Sequence, residues 1–408
     1  MTYPIRPIDE SEWPAFSTVL EEAFGWAPHP TQLARFKAGT EFDRTLAAFD
    51  GERIAGVTSV LSLTMTIPGT QLPVAGVTSV SVLPSHRRRG VLSSLMRRQL
   101  TDIRERGECV AALYASESSI YGRYGYGRAA GELSFRIDKS RSAFVPGAPG
   151  DPSLRLRVAK PAEVRTELEK LFASVVAGRP GRYERDTQSW DNWLADEEPD
   201  QRGAGPLRSI LAEDDGGVRG YALFRIKSSW DDDGVAEGTL KLQELEATDP
   251  AAYALLWRSV LDRDLVTRVE GGIPVDAPLI ALLADQRQLR ARWADELWVR
   301  LVEVDRALAA RAYSAPVDLV IEVEDDVCPW NARRWRLTAD LSGAECRAVE
   351  DEPDLRLPVS ALGSAYLGDG ALGEQLGAGL LREHTAGAVR RLAAAMSWSP
   401  KPWAGMTF

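Results

Sequence analysis

Apolar and polar positions change period several times along the chain, and each change marks an element. Trp13, Phe16, Leu20, Ala23 and Phe24 recur at helical spacing after Asp9, a capping residue, and a second short helix follows Thr31 with Leu33 and Phe36 inward. Residues 46–49 and 54–60 then flank Asp50-Gly51, a hairpin by turn chemistry, and residues 63–67 and 72–83 pair around Pro68-Gly69. The run Val77-Thr78-Ser79-Val80-Ser81-Val82-Leu83 alternates as a strand does, and Pro84 stops it. After Gly90 the apolar residues Val91, Leu92, Leu95, Met96, Leu100 and Ile103 share one helix face. Residues 109–114 read as a short buried strand.

A Pro/Gly-rich stretch, Pro146-Gly147-Ala148-Pro149-Gly150-Asp151-Pro152, reads as a linker, so a first domain is expected over 1–145. A second, over 153–300, repeats the first in outline. Its hairpin turns at Asp214-Asp215-Gly216-Gly217, with Gly216 lying 165 residues after Gly51. Its strand 240–247 leads through Asp249-Pro250, a cap and a first-turn proline, into a helix burying Tyr253, Leu256, Trp257, Val260 and Leu261. A third domain, 301–408, opens with the alternating strand Val317, Leu319, Ile321, Val323. Further strands over 334–340 and 345–349 and helices over 360–367, 372–381 and 386–396 complete it.

Composition narrows the class. With 44% hydrophobic and 26% charged residues the chain has ordinary globular usage, and no apolar run approaches the ~18 residues of a membrane span. Cys109, Cys328 and Cys346 are scattered and odd in number, and the first six residues contain no signal-peptide core. The expectation is a cytoplasmic chain without disulfides. No His/Cys group has metal-ligand spacing, so no metal is expected. The net charge of −10 argues against nucleic acid and is compatible with cationic substrates.

The strand, the basic loop Arg87-Arg88-Arg89-Gly90 and the helix after it form an anion cradle. The first helical amides, at Val91, Leu92 and Ser93, have no partner inside the helix, and Gly90 lets backbone approach a ligand. Neither Gly-Lys-Ser/Thr nor Gly-x-Gly-x-x-Gly is present at this helix entry, which excludes a P-loop and a dinucleotide turn. The motif resembles the pyrophosphate loop of the GCN5-related N-acetyltransferases (GNAT), Arg/Gln-x-x-Gly-x-Gly/Ala. Leu92 departs from the small final residue. Arg-Arg-Arg-Gly-hydrophobic-Leu is similar to one branch, the Eis family. The resemblance implies an α/β (α+β) fold of two tandem GNAT-like domains followed by a sterol-carrier-protein-like α+β domain. It implies acetyl-CoA as co-substrate, held by Arg88, Arg89, Gly90 and the helix entry. In the second domain the loop has become Glu246-Ala247-Thr248-Asp249-Pro250, which would repel a pyrophosphate, so no second cofactor cradle is expected.

Acetyl transfer to an amine needs a neutral amine, amide donors for the oxyanion, and a proton for the departing thiolate. Backbone along Val80, Ser81 and Val82 can serve the pantetheine arm and the carbonyl. Downstream lies Ser116-Glu117-Ser118-Ser119-Ile120-Tyr121-Gly122-Arg123, which matches the Eis pattern Ser-Glu-x-x-Ile-Tyr-Gly-Arg. That match implies Tyr121 as proton donor and Ser116 and Glu117 as further cofactor contacts. Tyr124 and Tyr126 read as packing. The chain ends on Phe408 after an apolar, aromatic tail, and the resemblance implies that its terminal carboxylate is the base. Thr407 stands where an acidic residue can occur in relatives. Phe24 and Trp26 either line the amine pocket by cation–π contact or pack in the core. The resemblance further implies a homohexamer and cationic, multi-amine acceptors such as aminoglycosides, attacked directly in a ternary complex. Two other readings remain open at this point: a protein-lysine acetyltransferase, and a non-enzymatic acyl-CoA or lipid binder.

Overall fold

Alternation along the first hairpins builds a seven-stranded sheet. The computed structural model describes residues 3–25 and 27–408. The sheet runs β1 (Ile5–Pro7), β2 (Leu46–Asp50), β3 (Arg53–Ile67), β4 (Thr70–Val82), β5 (Val110–Tyr114), then Leu297–Leu301 and Gly127–Arg128. Every neighbouring pair is antiparallel except β4 and β5, which are parallel. A parallel pair needs a crossover. Here it is helical, α3 (Val91–Glu105), preceded in the chain by α1 (Trp13–Phe24) and α2 (Pro30–Ala38).

The helix α3 buries Val91, Leu95, Met96, Leu100 and Ile103, as its period predicts, and Gln99 with them. Gln99 is tolerated inside because its Nε2 donates to Thr58 Oγ1 at 2.7 Å and to the Ser59 carbonyl at 3.3 Å. In α1 the inward positions are Trp13, Phe16, Val19 and Leu20, and Phe24 is 51% exposed. Of the two readings of Phe24, pocket lining and core packing, the second does not hold. Phe24 is the last residue before the left-handed cap Gly25, where the helix has run past the core.

The chain divides into two units: the first 130 residues together with Glu296–Phe408, and Gly131–Asp295. Strand Gly131–Asp138 joins the sheet of the second unit, while Leu297–Leu301 lies in the first sheet, between β5 and Gly127–Arg128. The expected boundaries, after 145 and after 300, follow the Pro/Gly linker and the change of pattern. They miss this exchange because alternation marks a strand without saying which sheet it joins.

The rest of the first unit is a five-stranded sheet, ordered Gly343–Ala348, Arg334–Asp340, Val317–Glu324, Leu355–Pro358, Arg382–Glu383, with helices Val359–Ala365, Leu372–Gly377 and Ala388–Met396. Buried Arg311 donates to the carbonyls of Ala365, Tyr366 and Met396, so one cation closes the C-terminal ends of two of these helices.

The second unit repeats the plan of the first. Its sheet has one parallel pair, Gly238–Ala247 with Val266–Pro274, and the helix Pro250–Leu261 crosses between them over a core centred on Trp257.

Candidate active site

The site grows from a fork in the first sheet. β4 and β5 pair only at Ala75–Ala111 and Gly76–Ala112, and beyond Gly76 they part. On its other side β4 stays in register with β3 but carries a bulge: Ser59 pairs with Thr78 and Val57 with Ser81, so Ser79 and Val80 stand opposite one residue. Ser79 takes the left-handed conformation, φ +56°, to accommodate it. A bulge re-aims the backbone groups of its strand. Here it lies in the stretch of β4 that no longer pairs with β5.

Past β4 the chain turns through Arg88 (φ +62°) and Gly90 (φ +84°) into α3. No side chain caps the first amides of α3. Arg87, Arg88 and Arg89 are exposed and make no ion pair among the described residues. Positive potential and free amides thus converge at one helix end. Gly90 is required for its backbone angle; a Cβ there would meet nothing within 4 Å.

Opposite the cradle, the helical turn Ser118–Tyr121 follows β5. Tyr121 is 5% exposed and packs in one cluster with Val77, Leu113, Tyr124 and Tyr126, against which Val80, Leu92 and Ile120 also rest. Its ring meets Tyr126 edge-on at 6.1 Å, and its hydroxyl has no hydrogen-bond partner among the described residues. Burial raises its pKa to about 12, with the nearby Glu117 carboxylate acting in the same direction. Tyr124 is engaged otherwise, its hydroxyl 3.1 Å from Ser93 Oγ. Gly125 and Gly127 serve packing: a Cβ on Gly125 would lie 2.7 Å from Arg300 Cζ, and one on Gly127 would strike the Ser360 carbonyl. Arg300 is in turn held by buried Asp325, at 2.5 Å.

The C-terminus returns to the fork. Thr78 Oγ1 donates to the Phe408 carbonyl oxygen at 3.2 Å, and the Phe408 ring meets the Tyr114 ring edge-on at 5.1 Å. A Cβ on Gly76, the last residue of β4 paired with β5, would come within 3.1 Å of the Phe408 ring. The tail therefore ends beside the bulge.

Val80, Leu92 and Tyr121 thus come together in one cluster, with Val91 and Ser93 on the same helix entry. Ser81 is buried and Val82 half-buried on the same strand, while Ser116 and Glu117 are exposed on the segment leading to Tyr121. Phe24 is exposed at the end of α1, and Trp26 lies outside the described residues. His86 is occupied by Asp50, with Nε2 3.1 Å from Oδ2. Sequence reasoning missed Thr78, Tyr114 and Glu296, which all touch the tail. Their partners lie more than a hundred residues away in the chain, and no local pattern signals such contacts. Among the described residues no group of His, Cys, Asp and Glu could hold a metal ion, and no helix is long and apolar enough to cross a membrane.

The second unit keeps the plan, but its helix end is capped from within the chain. Asp249 caps the helix Pro250–Leu261, accepting from the Ala251 and Ala252 amides at 3.0 Å each, so its own carboxylate fills the anion position. Arg219 bonds that carboxylate at 2.9 Å. Glu246, read from the sequence as a second repelling charge, is instead buried and bound two-pronged by Arg182. Only Asp249 stands at the helix end.

Family models agree with this architecture. Residues 4–129 and 181–301 each match an acetyltransferase (GNAT) domain, and residues 304–405 match a sterol carrier protein domain. Fold and site thus define a tandem GNAT protein closed by a sterol-carrier-type domain, an acetyl-CoA-dependent N-acetyltransferase. An uncharacterized N-acetyltransferase of Streptomyces avermitilis is 43% identical over 99% of both chains. N-acetyltransferase Eis of Mycobacterium tuberculosis is 30% identical, with 97% of each chain covered. The crystal structure of Eis1 from Mycobacterium abscessus matches with a TM-score of 0.84 at 33% identity, covering 99% of this chain and all of that one. The chain belongs to the Eis family of GNAT acetyltransferases.

Proposed function

We propose that the chain transfers acetyl from acetyl-CoA to a primary amine of cationic, multi-amine small molecules, aminoglycosides among them, by direct attack in a ternary complex. The observation that carries this reading is the nearness along one fork of three features: an uncapped helix end, buried Tyr121, whose hydroxyl has no partner among the described residues, and the terminal Phe408. Arg88, Arg89, Gly90 and the amides of Val91, Leu92 and Ser93 hold the pyrophosphate. Ser116 and Glu117 add contacts from the opposite wall. The bulged strand at Val80, Ser81 and Val82 lines the pantetheine arm. Bound acetyl-CoA supplies the electrophilic thioester. The Phe408 carboxylate takes the proton of the attacking amine, directly or through water, and Tyr121 serves the leaving thiolate. A terminal carboxylate among the otherwise neutral residues 402–408 suits a cationic acceptor, and exposed Phe24 offers an aromatic face to such a cation. The family further supports a cytoplasmic homohexamer, which sedimentation velocity tests.

Initial rates with kanamycin as acceptor and both substrates varied test the mechanism. Intersecting lines are expected. Parallel lines would mean an acetyl-enzyme and contradict direct attack.

The cradle carries two further expected outcomes. Gly90→Val forces a β-branched residue into φ +84°, a strain of about 1–3 kcal/mol. The expected result is an acetyl-CoA KM raised about tenfold or more with little change in the kanamycin KM. Equal changes in both would count against the cradle. Calorimetry with CoA should give one site per chain, because Asp249 already occupies the second helix end. A stoichiometry of two would show that the second unit binds as well.

A further inference from the structure

Chain ends fray unless something ties them down. This one is tied through its backbone. Glu296 stands one residue before the strand Leu297–Leu301, its own amide fixed on the Ala130 carbonyl at 3.0 Å. Its carboxylate reaches the tail with both oxygens: Oε2 accepts from the Ala404 amide at 3.0 Å and Oε1 from the Gly405 amide at 2.8 Å. Two consecutive amides converge on one carboxylate where Gly405 takes the left-handed conformation, φ +73°, under the Trp403 ring. Beyond this fork the Tyr114 hydroxyl donates to the Met406 carbonyl, and Thr78 Oγ1 donates to the Phe408 carbonyl oxygen. Glu296 thus holds the tail three residues before its end, and Tyr114 and Thr78 aim the last residues.

We propose that Glu296 is a positioning residue for acetyl transfer: its carboxylate clamps the Ala404 and Gly405 amides and thereby sets where the Phe408 carboxylate lies. This rests on the reading of that carboxylate as the base. The chemistry is that of a charge-assisted pair of hydrogen bonds, which neither a neutral nor a shortened side chain reproduces in full. Glu296 acts only through the tail, so its contribution should vanish once the tail is misplaced by other means.

The test combines Glu296→Ala, a chain with one glycine added after Phe408, and both changes together, with kanamycin as acceptor. Carboxypeptidase Y release of phenylalanine from the full chain reads the tail independently of activity. In Glu296→Ala, release should quicken about tenfold or more, since an untied terminus frays. kcat should fall on the order of 10–100-fold, as misplacement of a reacting group by about 1 Å does, with the acetyl-CoA KM within about twofold of native. Glu296→Gln, which keeps the shape and one acceptor, should fall between Ala and native, and it carries the same comparisons if the Ala variant does not fold. Combined with the added glycine, Glu296→Ala should cost nothing further. Native kcat in Glu296→Ala, an unchanged rate of phenylalanine release, or a loss that multiplies with that of the added glycine overturns the proposal. Undiminished turnover in the glycine-extended chain alone strikes instead at the carboxylate as base, and the carboxypeptidase assay still reports whether Glu296 holds the tail.

Discussion

Tyr121→Phe should lower kcat by about 10²–10⁴-fold while acetyl-CoA affinity stays near native, the loss typical of a removed general acid. The substitution removes one hydroxyl and almost no volume, so the cluster of Val77, Leu113, Tyr124 and Tyr126 around the ring should keep its packing. The leaving thiolate of a free thiol has a pKa near ~8.5. Tyr121, raised to about 12 by burial, is the weaker acid of the two. Full transfer of its proton to the thiolate is uphill by that difference, so its contribution is a hydrogen bond to the charge developing on sulfur as the thiolate leaves. The same shift sets the sign of the pH dependence. A phenol with a raised pKa stays protonated through neutral and mildly basic pH, so no fall in kcat assignable to Tyr121 should occur until pH nears 12. Tyr124→Phe is the control, since that hydroxyl is spent on Ser93. Turnover that survives Tyr121→Phe and is abolished by Tyr124→Phe would show that the other tyrosine is the acid.

The second large effect is expected from adding one glycine after Phe408. The extension keeps the whole native sequence and moves the terminal charge by one residue, up to ~3.6 Å. Beside Thr78 this moves the carboxylate from the carbon whose oxygen accepts from Thr78 Oγ1 to one beyond it. A free terminal carboxyl has a pKa of ~3.3–3.7, low for a base, so its value here lies in placement: it must stay within hydrogen-bond reach of the acceptor or of a bridging water. Turnover should drop about 10²-fold or more, with folding and CoA binding retained. An extended chain that turns over as fast as the native one leaves the carboxylate with no catalytic role.

What the sequence disclosed and what it hid divide along a physical line. Local patterns were legible. The period-two run into Pro84, the left-handed glycine and the helical period of 91–103 are all short-range, and β4, Gly90 and α3 lie where those patterns put them. So does the capped helix after Asp249. Long-range choices were not. Nothing in Gly131–Asp138 says that it leaves the sheet of β1–β5, and nothing in Leu297–Leu301 says that it enters it. Glu246 read as a repelling charge because its partner, Arg182, lies 64 residues away. The bulge at Ser79 was hidden because serine gives no warning of a positive φ, as a glycine would have done. The tail was legible as an apolar, aromatic end. Its three anchors, on Glu296, Tyr114 and Thr78, are visible only once the strands that bear them are assembled.

The central claim is that acetyl passes in one step from CoA to an acceptor amine in the fork between β4 and β5. The most direct measurement tracks the acetyl group itself: chain incubated with acetyl-labelled acetyl-CoA and kanamycin, then separated into protein, aminoglycoside and acetate. Label recovered in the aminoglycoside, equal to the CoA released and absent from the protein, is the predicted result. Label on the protein, or CoA release matched by free acetate alone, would contradict it.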